Sequence, residues 1–124
     1  METKFYICRH CGNIIAYVHS SGVRVVCCGE EMQELVPNTV DASLEKHVPV
    51  IVRDGNKVTV TVGSVEHPMV KEHYIEWICL ETKKGRQRIA LQPGNKPMAE
   101  FFISSDDAPV AAFAYCNLHG LWKK

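Results

Sequence analysis

No stretch of this sequence holds the roughly 18 consecutive apolar residues that a membrane-spanning helix needs, so no membrane crossing is expected. The first residues, Met1-Glu2-Thr3-Lys4-Phe5, contain neither the apolar stretch nor the small-residue cleavage site of a secretory leader, and a cytoplasmic location is expected. Net charge is missing too. Fourteen Lys and Arg balance 14 Asp and Glu, which removes any global pull toward nucleic acid or a membrane surface; an anionic substrate must be steered locally. There is no internal repeat and no low-complexity segment, and no stretch of ten or more residues shows helical periodicity. Cysteine is present but sparse for a disulfide framework: six in 124 residues, below the roughly 8–10% of such scaffolds. In a reducing compartment these are expected to be free thiols or metal ligands.

What is there suffices for a packed core: 46% hydrophobic residues, including four Phe, four Tyr and two Trp. Residues 4–35 form a compact cysteine unit. Phe5-Tyr6-Ile7 reads as a strand leading into Cys8-Arg9-His10-Cys11-Gly12. Residues 14–19 and 23–27 read as two further strands, with Ser20-Ser21-Gly22 as the turn, and Cys27-Cys28-Gly29 closes the unit. Two cysteines, a gap of 15 residues and two more make a four-cysteine metal site. So short a segment needs a metal to supplement its core. Spacing leaves zinc and iron open, because both accept tetrahedral sulfur. Adjacent Cys27 and Cys28 should diverge, so both reach one ion only in a distorted arrangement.

Leu35-Val36-Pro37-Asn38-Thr39 marks a boundary, giving a small domain over 1–36 and a larger one over 37–124. In the second, strands are expected over 50–53, 58–62, 74–81, 86–91, 100–104 and 110–116, with Asp54-Gly55-Asn56, Lys84-Gly85 and Pro93-Gly94-Asn95 as turns. Alternation puts Ile75, Trp77 and Cys79 on one face, Cys79 as a core thiol. The expected fold class is mainly β: a small four-cysteine domain followed by an antiparallel immunoglobulin-like sandwich.

Candidate ligands in that domain are scattered along the chain. Cys116-Asn117-Leu118-His119 offers a thiolate and an imidazole three positions apart; His47, His67 and His73 lie at strand ends or in loops. Loops at one end of a sandwich can gather such residues, and the five would make one site for iron, zinc or copper. His10 and His19 fall outside the pattern and read as surface residues.

Two groups of motifs carry a family resemblance. Cys8-x2-Cys11 with Cys27-Cys28 resembles desulforedoxin. Glu45-Lys46-His47-Val48-Pro49, His67-Pro68-Met69, His73-Tyr74-Ile75 and Cys116-Asn117-Leu118-His119 resemble neelaredoxin. Both in one chain are similar to the desulfoferrodoxins, two-iron superoxide reductases. The resemblance covers nearly the whole chain and implies two irons. One is held by Cys8, Cys11, Cys27 and Cys28, the other by His47, His67, His73 and His119 with Cys116 as axial thiolate. It implies reduction of superoxide to hydrogen peroxide, Lys46 drawing in the anion and Glu45 entering the open position once the iron is ferric. A homodimer and a small electron donor such as a rubredoxin are implied as partners. Two other classes stay open at this point: an iron electron carrier without substrate turnover, and a zinc-ribbon-like binding module.

Overall fold

The computed structural model describes residues 3–124; Met1 and Glu2, part of the segment read for a secretory leader, lie outside the described residues. The chain divides into two compact units, Met1–Val36 and Pro37–Lys124. Among the described residues no helix is long and apolar enough to cross a membrane.

The first unit is built from short strands. β1 (Phe5–Ile7) lies between β2 (Ile14–Ala16) and β5 (Gln33–Leu35), both antiparallel to it. Among the described residues β3 (Val26–Cys27) pairs only with β4 (Glu30–Glu31). The two strands expected across Ser20-Ser21-Gly22 are therefore shorter than the sequence suggests and do not pair with each other. Ile14–Ala16 finds its partner in β1 instead, while Val18 and Val23 stand in solvent and gain nothing from strand pairing. Among the described residues, Phe5, Ile7, Met32 and Leu35, with Cys8, make up a very small buried core.

The second unit opens with one helical turn, α1 (Leu44–His47), and continues as seven strands. β6 (Pro49–Asp54), β7 (Lys57–Val62) and β10 (Met98–Phe102) form one sheet in the order β10-β7-β6. β8 (Ile75–Thr82), β9 (Arg86–Ala90), β11 (Pro109–Cys116) and β12 (Gly120–Lys123) form the other, in the order β12-β11-β8-β9. All pairings are antiparallel, as expected for an immunoglobulin-like sandwich. The period-two pattern of Val58, Val60 and Val62 is realised directly: all three are fully buried, facing Ile75, Ile78, Leu80, Phe101, Ala112, Ala114 and Cys116. β12 was not legible, being four residues that follow immediately on the Cys-x-x-His segment.

One face assignment differs. Tyr115 pairs with Trp77 but Cys116 pairs with Ile75, so Glu76 is an extra residue that breaks the alternation. Ile75 therefore joins Ile78 and Leu80 in the core, whereas Trp77 stacks on Tyr115 at 5.7 Å between centroids.

The registers set the two ends of the sandwich. Pro49 pairs with Val62, and Ile75 with Cys116, so the start of β6, the end of β7, the start of β8 and the end of β11 share one end. The other end is closed by Asp107. Its carboxylate accepts from the Thr82 hydroxyl (2.7 Å) and from the amides of Lys84 (3.2 Å) and Ala108 (2.8 Å), while Arg53 Nη1 donates to its carbonyl oxygen (2.8 Å).

Candidate metal centres

In the first unit, β1 delivers Cys8 and the chain turns back at once. The Gly12 amide donates to Cys8 O (2.9 Å), the Cys8 amide donates to Asn13 O (2.9 Å), and Gly12 adopts the positive φ of 84° that this knuckle needs. Cys27 ends β3, and Cys28-Gly29 is the two-residue turn into β4, with φ of 52° and 80°. Two positive φ values in succession are those of a type I′ hairpin turn. This resolves the adjacent pair: Cys28 leaves the strand alternation, and its sulfur turns to the same side as that of Cys27. The local cost of a left-handed non-glycine residue is roughly 1–2 kcal/mol. The four sulfurs of Cys8, Cys11, Cys27 and Cys28 lie within 4.8 Å of one another, with Cys11 Sγ 3.7 Å from Cys27 Sγ. Asn13 Nδ2 donates to Cys27 Sγ at 3.8 Å.

These sulfurs cannot all carry charge unaided. Hydrogen bonding from the Cys11 amide, against the pull of burial, brings the Cys8 thiol down to about 6, while the sulfurs of Cys8, Cys11 and Cys27 push Cys28 up to about 12. A cation at their centre is what lets four thiolates coexist, so the residues fit a four-coordinate metal. None of the six cysteines is in a disulfide; Cys79 is buried in the second unit, its thiol pushed up to about 11 by burial, and it belongs to neither cluster found among the described residues.

The second cluster sits at one end of the sandwich. His47 comes from α1 just before β6, His67 from the turn after β7, and His73 from just before β8. Cys116 ends β11 and His119 precedes β12. Donor atoms of His47, His67, His73 and Cys116 lie within 4.8 Å of one another. His119 lies against them, its Nδ1 3.1 Å from His47 Nε2 and 4.0 Å from Cys116 Sγ. The four imidazoles form a closed ring in the order 47, 67, 73, 119. Each neighbouring pair is edge-to-face, with centroids 4.7 Å, 4.7 Å, 5.1 Å and 4.9 Å apart around the ring. His47 faces His73 across it at 6.4 Å.

The hydrogen bonds say what this ring lacks. His47 Nδ1 donates to Ser43 O (2.6 Å) and His67 Nδ1 donates to Pro68 O (2.7 Å). Carbonyls only accept, so both δ-nitrogens carry the proton and both ε-nitrogens present lone pairs. Those two lone pairs meet at 3.1 Å. Among the described residues, His73 Nε2 is buried with no hydrogen-bond partner. Burial lowers the pKa of His47, His67 and His73, His67 to about 4, so the imidazoles stay neutral and available as ligands. Burial raises the Cys116 thiol, partly offset by the amides of His119 and Leu118 at its sulfur. Neutral imidazoles aimed at one another, beside a buried thiol, fit a metal ion and little else.

Supporting residues escaped the sequence reading. Asn117 accepts from the Tyr74 amide (2.9 Å) and donates to Glu72 O (3.0 Å), tying the Cys116–His119 loop to the segment bearing His73. Its only signal is its place inside the Cys-x-x-His motif. Trp122, fully buried, donates from Nε1 to His119 O (3.0 Å). No local pattern marks it. Glu45 and Lys46 are exposed on α1 beside His47, and the Lys46 charge is felt at His47 and His73, where it opposes protonation. His10 and His19 are exposed; His10 pairs with Glu30 at 3.1 Å.

Comparison with known proteins agrees along the whole chain. The family model for desulfoferrodoxin matches residues 39–124, and that for the desulfoferrodoxin N-terminal domain matches residues 1–35. A desulfoferrodoxin homolog of Archaeoglobus fulgidus is 52% identical over 120 residues, 97% of this chain and 94% of that one. The crystal structure of the superoxide reductase from Treponema pallidum covers all of this chain and 99% of its own, at 39% identity and a TM-score of 0.85. A superoxide reductase (1Fe-SOR) from Giardia intestinalis, 36% identical with a TM-score of 0.54, covers 64% of this chain and 95% of its own.

Proposed function

Because the chain belongs to the desulfoferrodoxin family, we propose that it is a superoxide reductase. One electron and two protons convert each superoxide to hydrogen peroxide without producing oxygen, which removes the radical. The observation that carries this is the pair of ε-nitrogen lone pairs, His47 and His67, facing each other at 3.1 Å beside the orphaned His73 Nε2. The residues call for a cation, and in this family the cation is iron. Ferrous iron, when bound there, supplies the electron.

The residues of the chain do the rest. His47, His67, His73 and His119 with Cys116 would hold the second iron. The Leu118 and His119 amides stabilise negative charge on the Cys116 sulfur. Lys46, exposed and adjacent to a ligand, attracts the anion in a chain with no net charge to do so. Glu45 is the carboxylate available to the oxidised site, as the family resemblance implies. Residues 1–36 act as a desulforedoxin-like iron domain in which Cys8, Cys11, Cys27 and Cys28 form a closed set with no position for substrate. Residues 37–124 are the catalytic domain.

The working assembly is a homodimer. Val18, Val23 and Val26, 103%, 75% and 60% exposed, give the first unit apolar surface that a second copy would cover alongside Ile14, Ile15 and Val25. A small electron-donor protein such as a rubredoxin re-reduces the site, and cysteines kept as metal ligands rather than disulfides suit the cytoplasm.

Elemental analysis combined with pulse radiolysis tests the function. Two irons per chain and one hydrogen peroxide per superoxide, with no oxygen released, are expected. Zinc in place of iron, or no reaction with superoxide, would overturn it.

A further inference from the structure

Of the eight glycines, Gly63 alone has no room for a side chain. It is buried, directly after β7. A Cβ there would overlap the Glu45 carbonyl oxygen and stand 3.0 Å from both Lys46 C and Val48 O. All three atoms are main chain, so no rotamer change relieves the clash; the whole segment would have to move. Gly63 lacks the positive φ seen at Gly12 or Gly55, so space and not backbone freedom demands glycine here.

The same turn grips that segment. The Val65 amide (2.9 Å) and the Ser64 hydroxyl (3.3 Å) both donate to Glu45 O. The turn is closed by Gly63 N to Val65 O (3.2 Å) and by His67 N to Val62 O (3.0 Å). α1 cannot hold its own place. It has only four residues, Ser43 gives no side-chain cap, and its C-terminal end is closed by Val48 N to Leu44 O (2.9 Å).

We infer that Gly63 is a positioning residue: the seat on which the Glu45–Val48 backbone rests, setting where Glu45, Lys46 and His47 stand relative to His67. One turn thus delivers one ligand and supports the segment bearing another. This rests on the superoxide reductase reading for its consequence, and on packing alone for its geometry. Displacing a charge and a ligand by a fraction of an ångström alters a reaction far more than it alters a fold.

The test is Gly63→Ala in the full chain loaded with iron, with Ser64→Ala as a gentler companion that removes one donor to Glu45 O and fills no space. Absorption of the oxidised second centre, azide affinity and the superoxide rate per bound iron are measured against the parent. Gly63→Ala should shift the spectrum and azide affinity and slow the rate about tenfold or more. Ser64→Ala should move the same readouts in the same direction by a smaller factor. A purely structural role would lower the melting temperature and leave per-iron properties at the parent values, and that result overturns the proposal. If Gly63→Ala does not fold, parent-like spectrum and azide affinity in Ser64→Ala overturn it equally. Failure of the functional reading appears separately, as a parent protein that does not consume superoxide.

Discussion

The indole of Trp122 lies stacked on the imidazole of His47, with 4.7 Å between ring centroids and 28° between planes. Through its N–H the same indole holds the carbonyl of His119. One buried side chain thus orients two members of the imaginary square that the four imidazoles draw. Trp122→Phe keeps an aromatic face for His47 and abandons the hydrogen bond; Trp122→Leu loses both. Residues that support ligands typically change metal affinity by about 10–100-fold. Iron transfer to a competing chelator should be faster in Trp122→Phe and faster again in Trp122→Leu. Equal retention in all three proteins would reduce Trp122 to ordinary packing.

The first iron should be dispensable for turnover. Cys11 Sγ, 3.7 Å from Cys27 Sγ, belongs to a closed sulfur set, and the 1Fe-SOR of Giardia intestinalis matches only 64% of this chain. Cys11→Ser should abolish the absorption of the four-cysteine iron while superoxide consumption by the second centre stays near the parent rate. Loss of that activity with the second iron still bound would count against the separation.

Lys46 and Glu45 should fail differently. Removing a single cation near the site should slow the encounter with superoxide about tenfold, equivalent to about 1.4 kcal/mol. Because Lys46 is exposed, the effect should shrink as salt rises. Lys46→Ile should therefore be slow and less salt-sensitive. Glu45→Ala should react at the parent rate, with an altered spectrum and easier anion binding in the oxidised state. Pulse radiolysis across ionic strengths separates the two; a parent-like Lys46→Ile would mark that lysine as a solvated charge.

Asp107 should shape acid stability. Burial opposes its charge, but hydrogen bonds from Thr82 and from the amides of Ala108 and Lys84 outweigh it and hold the carboxyl below its ordinary range. A group with a lowered folded-state pKa contributes stability above its unfolded value, about 3.9, and loses it as pH falls through the folded value. Asp107→Ala should lower the melting temperature at neutral pH and flatten its decline below about pH 4. A variant whose acid limb parallels the parent's would show that other carboxylates govern it.

Much of this was readable in the residues, for reasons that also explain what was not. Cys8, Cys11, Cys27 and Cys28 announce themselves through spacing, and Val58, Val60 and Val62 through alternation, because both signals are local. Trp77 was misplaced because one inserted residue, Glu76, flips every face beyond it, and no pattern at that point betrays the insertion. The pairing of Ile14–Ala16 with β1 was hidden because three-residue strands choose partners by what the small core can cover. Gly63 and Trp122 were silent for a third reason. What they touch, Glu45 and His47, lies 18 and 75 residues back along the chain, visible only after folding.

The gathering of His47 and His119 at one end of the sandwich also makes the ion a tether on the disordered chain. Their ring nitrogens meet across a sequence separation of 72 residues. Closing a loop of that size removes chain entropy on the order of 4 kcal/mol by the estimate used for cross-links. Loading the site should then slow amide hydrogen exchange most around residues 43–48, 63–75 and 114–122, where strands end at the ligands. Around Thr82 and Asp107, where the hydrogen bonds need no ion, exchange should hardly change. Seen this way, the metal does for the histidine end of the sandwich what a disulfide does in a cross-linked domain.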